Sequence, residues 1–318
     1  MTELADGIRR GERRALARAL SFAESGSAEG REILRELGSP EKAADVVGIT
    51  GAPGVGKSTL VDLLSRAFAA RGRKVAVLAV DPSSPFSGGA LLGDRIRMDS
   101  PDPEVFIRSL STRGQQGGLS RAVASAIRLL EAFGKDLILV ETVGAGQSEV
   151  EIMAHADITA VVLVPGLGDD IQANKAGILE IGDVFIVNKS DRPGADLVVR
   201  ELRMMLSLAP KDVERPPIVK TVASEGLGVG EVAETLLKLL AAPTMLARRE
   251  ERRRRGGEAQ LREALSRQVL ERISSRQAFR DAVGRVTEGG ADPESEAEDL
   301  LDRLAYGGGR ESEGGMSP

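Results

Sequence analysis

The segment Gly51-Ala52-Pro53-Gly54-Val55-Gly56-Lys57-Ser58 has the composition of a phosphate-binding loop. Its glycines let successive backbone N–H groups converge on an anion, and a helix opening at Lys57 would add the positive end of its dipole. Lys57 supplies an ammonium for β- and γ-phosphates; Ser58, followed by Thr59, supplies a hydroxyl that can ligate Mg²⁺. An ordinary Gly-rich strand-to-helix turn is the plain alternative. The complete pattern, set between a predicted strand and a predicted helix, argues against it.

Further on, Asn188-Lys189-Ser190-Asp191 follows the β-branched run Val184–Val187. The Asp191 carboxylate can accept from both the ring N–H and the exocyclic amine of guanine, and adenine offers neither in that arrangement. Asn188 and the stem of Lys189 would steady this loop and cover the base. After a P-loop and a strand, the tetrapeptide points to GTP rather than ATP. Ala223-Ser224 either completes the base pocket with a backbone contact or forms a plain loop.

Carboxylates stand where magnesium would be held. Asp81 ends the predicted strand Lys74–Val80, Asp94 lies in the Gly-rich stretch Ser83–Met98, and Glu141 ends the predicted strand Leu137–Val140. Such groups can hold Mg²⁺ directly or through its waters. Asp is commoner than Glu at the Glu141 position of GTPases, which favours a water-mediated contact there. Gly144 would offer its N–H to a γ-phosphate, making Glu141–Glu149 a switch that responds to hydrolysis. For Asp81 and Asp94 the alternative is helix capping. His155, the single histidine, reads as structural beside an apolar strand rather than as a general base, and Gln147 is a weak candidate to orient water.

The elements that must position these groups alternate. Short β-branched runs at Val46–Thr50, Lys74–Val80, Val105–Arg108, Leu137–Val140, Ile158–Val164, Val184–Val187 and Pro217–Lys220 are separated by helical stretches such as Lys57–Ala70. This pattern predicts an α/β fold with a mostly parallel central sheet covered on both faces. The expected organisation is a helical N-terminal extension over 1–44, a nucleotide-binding domain over 45–241, a helical C-terminal arm over 242–306 and a disordered tail over 307–318. In the arm, Leu261, Leu265, Val269 and Ile273 form a narrow apolar stripe that a second subunit would cover. The run Arg248–Arg255 has no interleaved aromatics and is broken by Glu250 and Glu251, so a solvated helix or linker is expected rather than a nucleic-acid patch.

Bulk composition excludes other classes. The chain has 318 residues, 42% hydrophobic but only 3% aromatic, with no Trp, so its core is aliphatic. Absence of Cys removes disulfides and thiolate metal sites. A net charge of −5 gives no general pull towards nucleic acid or anionic membrane. No secretory signal or membrane-length apolar run is evident, so the cytoplasm is the expected compartment.

Taken together, the P-loop with Thr59, the segment Asp81-Pro82-Ser83-Ser84-Pro85 with Gly88–Arg95, and Glu141–Glu149 resemble the MeaB/ArgK family. The resemblance runs from about Val46 to Leu240 and more loosely into both extensions. It implies a P-loop G domain hydrolysing GTP to GDP, and a chaperone of an adenosylcobalamin-dependent acyl-CoA mutase. Carried onto this chain, it puts Lys57, Ser58 and Thr59 on phosphates and Mg²⁺, Asp81, Asp94 and Glu141 around the metal, and Asn188, Lys189 and Asp191 on guanine. It makes Pro165–Lys175 an extra switch in which Gln172 and Lys175 relay nucleotide state to the mutase. Asp169-Asp170 stands where many relatives have Asp-Glu. Homodimers through the C-terminal helices are implied too. Two other classes differ in recognisable ways: a nickel-insertion GTPase would carry Cys/His motifs, and a small-molecule kinase would lack the Asn-Lys-x-Asp.

Overall fold

The computed structural model describes residues 3–40, 42–81, 105–111, 118–142, 153–166, 181–208 and 215–306. Asp94, Gly144, Gln147, Gln172 and Lys175 lie outside the described residues, and of Asp81 only the backbone is described. Two compact units divide the chain, 1–256 and 257–318.

The first unit is organised by a seven-stranded sheet in the order β3-β2-β4-β1-β5-β6-β7, with every pairing parallel. The strands are β1 Asp45–Thr50, β2 Val75–Asp81, β3 Phe106–Ser111, β4 Leu137–Thr142, β5 Ile158–Leu163, β6 Val184–Val187 and β7 Ile218–Lys220. All seven predicted runs are strands, with ends differing by a few residues at most. They read as continuous apolar runs because a parallel sheet is buried on both faces. Period-two alternation sorts their side chains. Val47, Ile49, Val77, Leu139 and Val162 face α4 (Lys57–Ala69) and α7 (Val229–Leu240); α6 (Ala195–Leu206) packs on Val161, Phe185 and Val187. Val46, Leu78, Ile138 and Val140 face the other layer.

That second layer contains α5 (Gly118–Ala132) and the N-terminal helices α1 (Glu3–Arg9), α2 (Arg13–Ser25) and α3 (Ala28–Leu37). Ile8, Leu16, Leu20 and Ile33 are at most 2% exposed and share one cluster with β2 and α5. The helices within residues 3–37 therefore form part of the layer that covers this face of the sheet. Gly48, in β1, lies close under this layer: a Cβ there would meet the Met153 sulfur at 2.4 Å, so the Met153 side chain would have to shift.

The N-terminal edge of the sheet is held by charge. α8 (Met245–Ser274) begins in this unit and sends Arg249 to Asp45 and Arg252 to Asp157. The Asp157 side chain is wholly buried, 3.1 Å from the Arg252 guanidinium, and accepts the Val46 N–H at 2.8 Å. Arg73 bridges Asp45 and Asp136, and Arg248 reaches Asp183. Burial pushes the Asp157 carboxyl up and the Arg252 guanidinium down, each opposed by the other's charge. The expected solvated character of the Arg248–Arg255 run thus fails at Arg249 and Arg252, which dock onto the half-buried Asp45 and the buried Asp157 at the starts of β1 and β5.

The second unit holds the remainder of α8 with α9 (Gln277–Thr287) and α10 (Pro293–Tyr306). Ile273 and Ala282 are buried, and Arg285 pairs with Glu296 at 2.6 Å. Leu261 and Leu265 are more than half exposed. A four-residue spacing drifts around a 3.6-residue helix, so the predicted stripe turns from exposed Leu261 to buried Ile273.

Candidate functional site

The chemistry-bearing segments meet at the C-terminal edge of the sheet. β1 is central, between β4 and β5, and the P-loop leaves its end directly into α4. Gly56 precedes the helix at φ +97° with no side-chain cap. The first-turn N–H groups of α4 are consequently left for another acceptor, as an anion site requires. Gly51 is fixed by crowding, since a Cβ there would lie 2.2 Å from the Val162 carbonyl oxygen. Lys57 is 6% exposed, and its ammonium donates to the Gly51 and Ala52 carbonyls at 2.5 and 3.0 Å. The charge is thereby held inside the loop's concave side.

Asn188 joins the phosphate loop to the base loop. It is 2% exposed at the end of β6, and its Nδ2 donates to the Val55 carbonyl at 2.8 Å. Its Oδ1 accepts from Thr221 Oγ1 and from the Ala223 N–H, both at 3.0 Å. One buried amide therefore uses donor and acceptor ends to tie three segments. The contact also explains Gly56, where a Cβ would meet Asn188 Nδ2 at 2.5 Å. Lys189 is the sole non-glycine residue with positive φ (54°) among the described residues, and its ammonium reaches back to the Gly54 carbonyl at 2.7 Å. A turn closed by Arg192 N–H on the Lys189 carbonyl leaves Asp191 exposed beside this clasp. Ala223 is brought in by its N–H, and Ser224 follows it, exposed.

Across the P-loop, the Ser58 hydroxyl donates to Glu141 Oε1 at 2.7 Å. Glu141 is the penultimate residue of β4 and is 1% exposed; it pairs in register with Ile49 of β1 and Ala79 of β2. A buried carboxylate touching a hydroxyl is a hard-oxygen donor set of the type Mg²⁺ takes, so these residues fit that ion. The backbone of Asp81 ends β2 in the neighbouring strand, at the same sheet edge.

His155 is elsewhere. It is 7% exposed near the N-terminal edge of the sheet, its Nε2 is 2.7 Å from Ser120 Oγ, and its carbonyl accepts from Arg252. Burial, aided by the Arg252 charge, pushes its pKa down to about 4. The ring is neutral at pH 7 and packed as a structural group. Sequence reasoning missed the Arg249 and Arg252 docking; its available signal was their i,i+3 spacing on one helix face opposite acids that precede strands.

Comparison with known proteins agrees with this geometry. The family model described as methylmalonyl-CoA mutase-associated GTPase MeaB matches residues 16–278. A GTPase of Pyrococcus horikoshii is 43% identical over 312 residues, covering 95% of this chain and 98% of the relative. The mitochondrial methylmalonic aciduria type A homolog of Mus musculus is 35% identical over 274 residues, 77% of this chain and 65% of that protein. A solved structure titled LAO/AO transport system kinase superposes with a TM-score of 0.68 at 26% identity, covering 96% of this chain and 97% of its own. With a complete P-loop clasped to an Asn-Lys-x-Asp loop on an all-parallel sheet, and with these likenesses along most of its length, the chain belongs to the MeaB family of P-loop GTPases.

Proposed function

We propose that this GTPase turns over GTP at the P-loop and Asn188 clasp, and uses the cycle to gate cofactor delivery to an adenosylcobalamin-dependent acyl-CoA mutase. The observation that carries the site assignment is the clasp: one buried side chain fixes the distance between phosphate loop and base loop. Lys57 and the α4 N–H groups hold the β- and γ-phosphates, while Asp191 reads guanine with Lys189, Ala223 and Ser224 around the base. Ser58, Asp81, Asp94 and Glu141 surround Mg²⁺, holding it directly or through its waters, with the contact of Glu141 made through water. The ion, when bound, neutralises charge on the phosphate oxygens. Gly144 offers its N–H to the γ-phosphate.

The nucleotide-binding domain in this reading is 45–241, with 242–306 as the arm through which two copies associate. Exposed Leu261, Leu265 and Leu270 on α8 support that arm as an interface. The compartment is the cytoplasm, in keeping with the finding that no helix among the described residues is long and apolar enough to cross a membrane. Support for the mutase is the description of the matching family and the name of the mouse relative. Gln172 and Lys175 form the relay.

A coupling of about 1–3 kcal/mol between nucleotide and mutase corresponds to a roughly 5- to 150-fold difference in mutase affinity between GTP and GDP forms. Binding of a cobalamin-dependent mutase to both forms, measured by calorimetry, is expected to show it. Lys175→Ala is expected to keep GTP affinity and flatten that difference. Equal mutase affinities of the parent's two forms, or no binding at all, would remove the chaperone reading while leaving the GTPase intact.

A further inference from the structure

At the N-terminal edge of the sheet lies a cavity of 740 Å³, lined in part by Arg9, Lys42, Lys74 and Lys135. Lys42 and Lys74 immediately precede the region where β1 and β2 begin, whereas Lys57 and Asn188 lie beyond the opposite ends of the strands. A six-residue strand separates the two edges by about 20 Å. The cavity is therefore a different place from the nucleotide site. Its volume falls within the roughly 300–1,000 Å³ typical of small-molecule sites.

Its charge is unbalanced in a way the rest of the protein is not. The chain carries a net −5, yet cations dominate these walls. The carboxylates present are already engaged: Asp136 accepts from Arg73 at 2.8 Å and from the Lys74 N–H at 3.1 Å. Glu131 accepts the Ala44 N–H at 3.1 Å, and burial raises its pKa against the pull of that bond and of Arg252 and Arg253. Arg9 is occupied by Asp6 and by the Glu36 carbonyl. Among the described residues neither the Lys42 nor the Lys74 ammonium has an acidic partner. Gathering such charges around a concavity raises the local positive potential, which an anion relieves. Leu37, Pro40 and Ala132 give the same cavity an apolar wall.

We propose that this cavity binds a phosphorylated small molecule, with its phosphate between Lys42 and Lys74 and its apolar portion against Leu37, Pro40 and Ala132. Two cations without acidic partners match a phosphate dianion in charge, and the apolar wall accommodates the organic part. Ligand binding here leaves the P-loop open to its own nucleotide.

The test is an amide NMR titration of the GDP-saturated full chain with phenyl phosphate, inorganic phosphate and benzoate. Saturation with GDP keeps the probes off the P-loop. The expected result is saturable shifts around residues 37–43, 74 and 131–136, tighter for phenyl phosphate than for either other probe. The double variant Lys42→Ala/Lys74→Ala should weaken phenyl phosphate about tenfold, the effect of two partly exposed charge pairs acting together, with GDP affinity unchanged. Absence of saturable shifts, equal binding by the variant, or equal affinity for benzoate overturns the proposal. So does tighter binding of a poly-glutamate peptide, which would assign the cavity to an acidic protein segment.

Discussion

Lys57→Ala is expected to reduce GTP turnover at least about 100-fold and to weaken GTP binding more than tenfold. Its ammonium is 6% exposed and pinned by the Gly51 and Ala52 carbonyls at the mouth of α4. In such a desolvated loop, a charge-assisted contact to phosphate is stronger than in water, and charge developing on the transferred group has no substitute. Some cost to folding is expected as well, because the Gly51 carbonyl that loses this donor is buried and the Ala52 carbonyl half-buried. Single-turnover hydrolysis and nucleotide affinity, with thermal unfolding as a control, measure it. Near-parent turnover in a folded variant would move the phosphate site elsewhere.

The second large effect concerns stability. Arg252→Ala is expected to destabilise the first unit by about 3–5 kcal/mol, the usual cost of breaking a buried pair from one side. It leaves the Asp157 carboxylate, which is wholly buried, with the Val46 N–H at 2.8 Å and a more distant Arg249 at 3.8 Å. Because burial already raises the Asp157 pKa, the variant should relieve itself partly by taking up a proton. Adding Asp157→Asn to Arg252→Met removes both charges and should recover most of the loss. Urea unfolding of the parent, the single and the double variant measures this. A loss below about 1 kcal/mol for Arg252→Ala would show that the pair behaves as a surface salt bridge.

How much of this was legible in the sequence depends on the range of each interaction. The strands were legible because burial on both faces forces runs such as Val184–Val187, and the P-loop because its chemistry is contiguous in the chain. The approach of Ser58 to Glu141 was legible only as a likelihood of type, since it requires β4 to lie beside β1, a strand order that no local pattern encodes. The role of Asn188 was half legible. Its motif pointed to a base loop, but the bond to Val55 and the resulting demand for glycine at 56 belong to tertiary structure. Arg249 and Arg252 were misread because a charge run is normally solvated, and their partners, half-buried Asp45 and buried Asp157, lie far back in the sequence.

The central claim is that this fold reads guanine through Asp191 while Asn188 holds the base loop to the phosphate loop. The direct measurement is competitive binding of GTP, ATP and xanthosine triphosphate to the parent and to Asp191→Asn. The parent should favour GTP over both others. The variant should shift by at least about tenfold towards xanthosine triphosphate, because its amide donates to xanthine's second carbonyl where the carboxylate accepted from guanine, and each mismatched buried polar group costs about 1–3 kcal/mol. A parent that binds ATP as well as GTP, or a variant that keeps the parent's preference, would contradict the account.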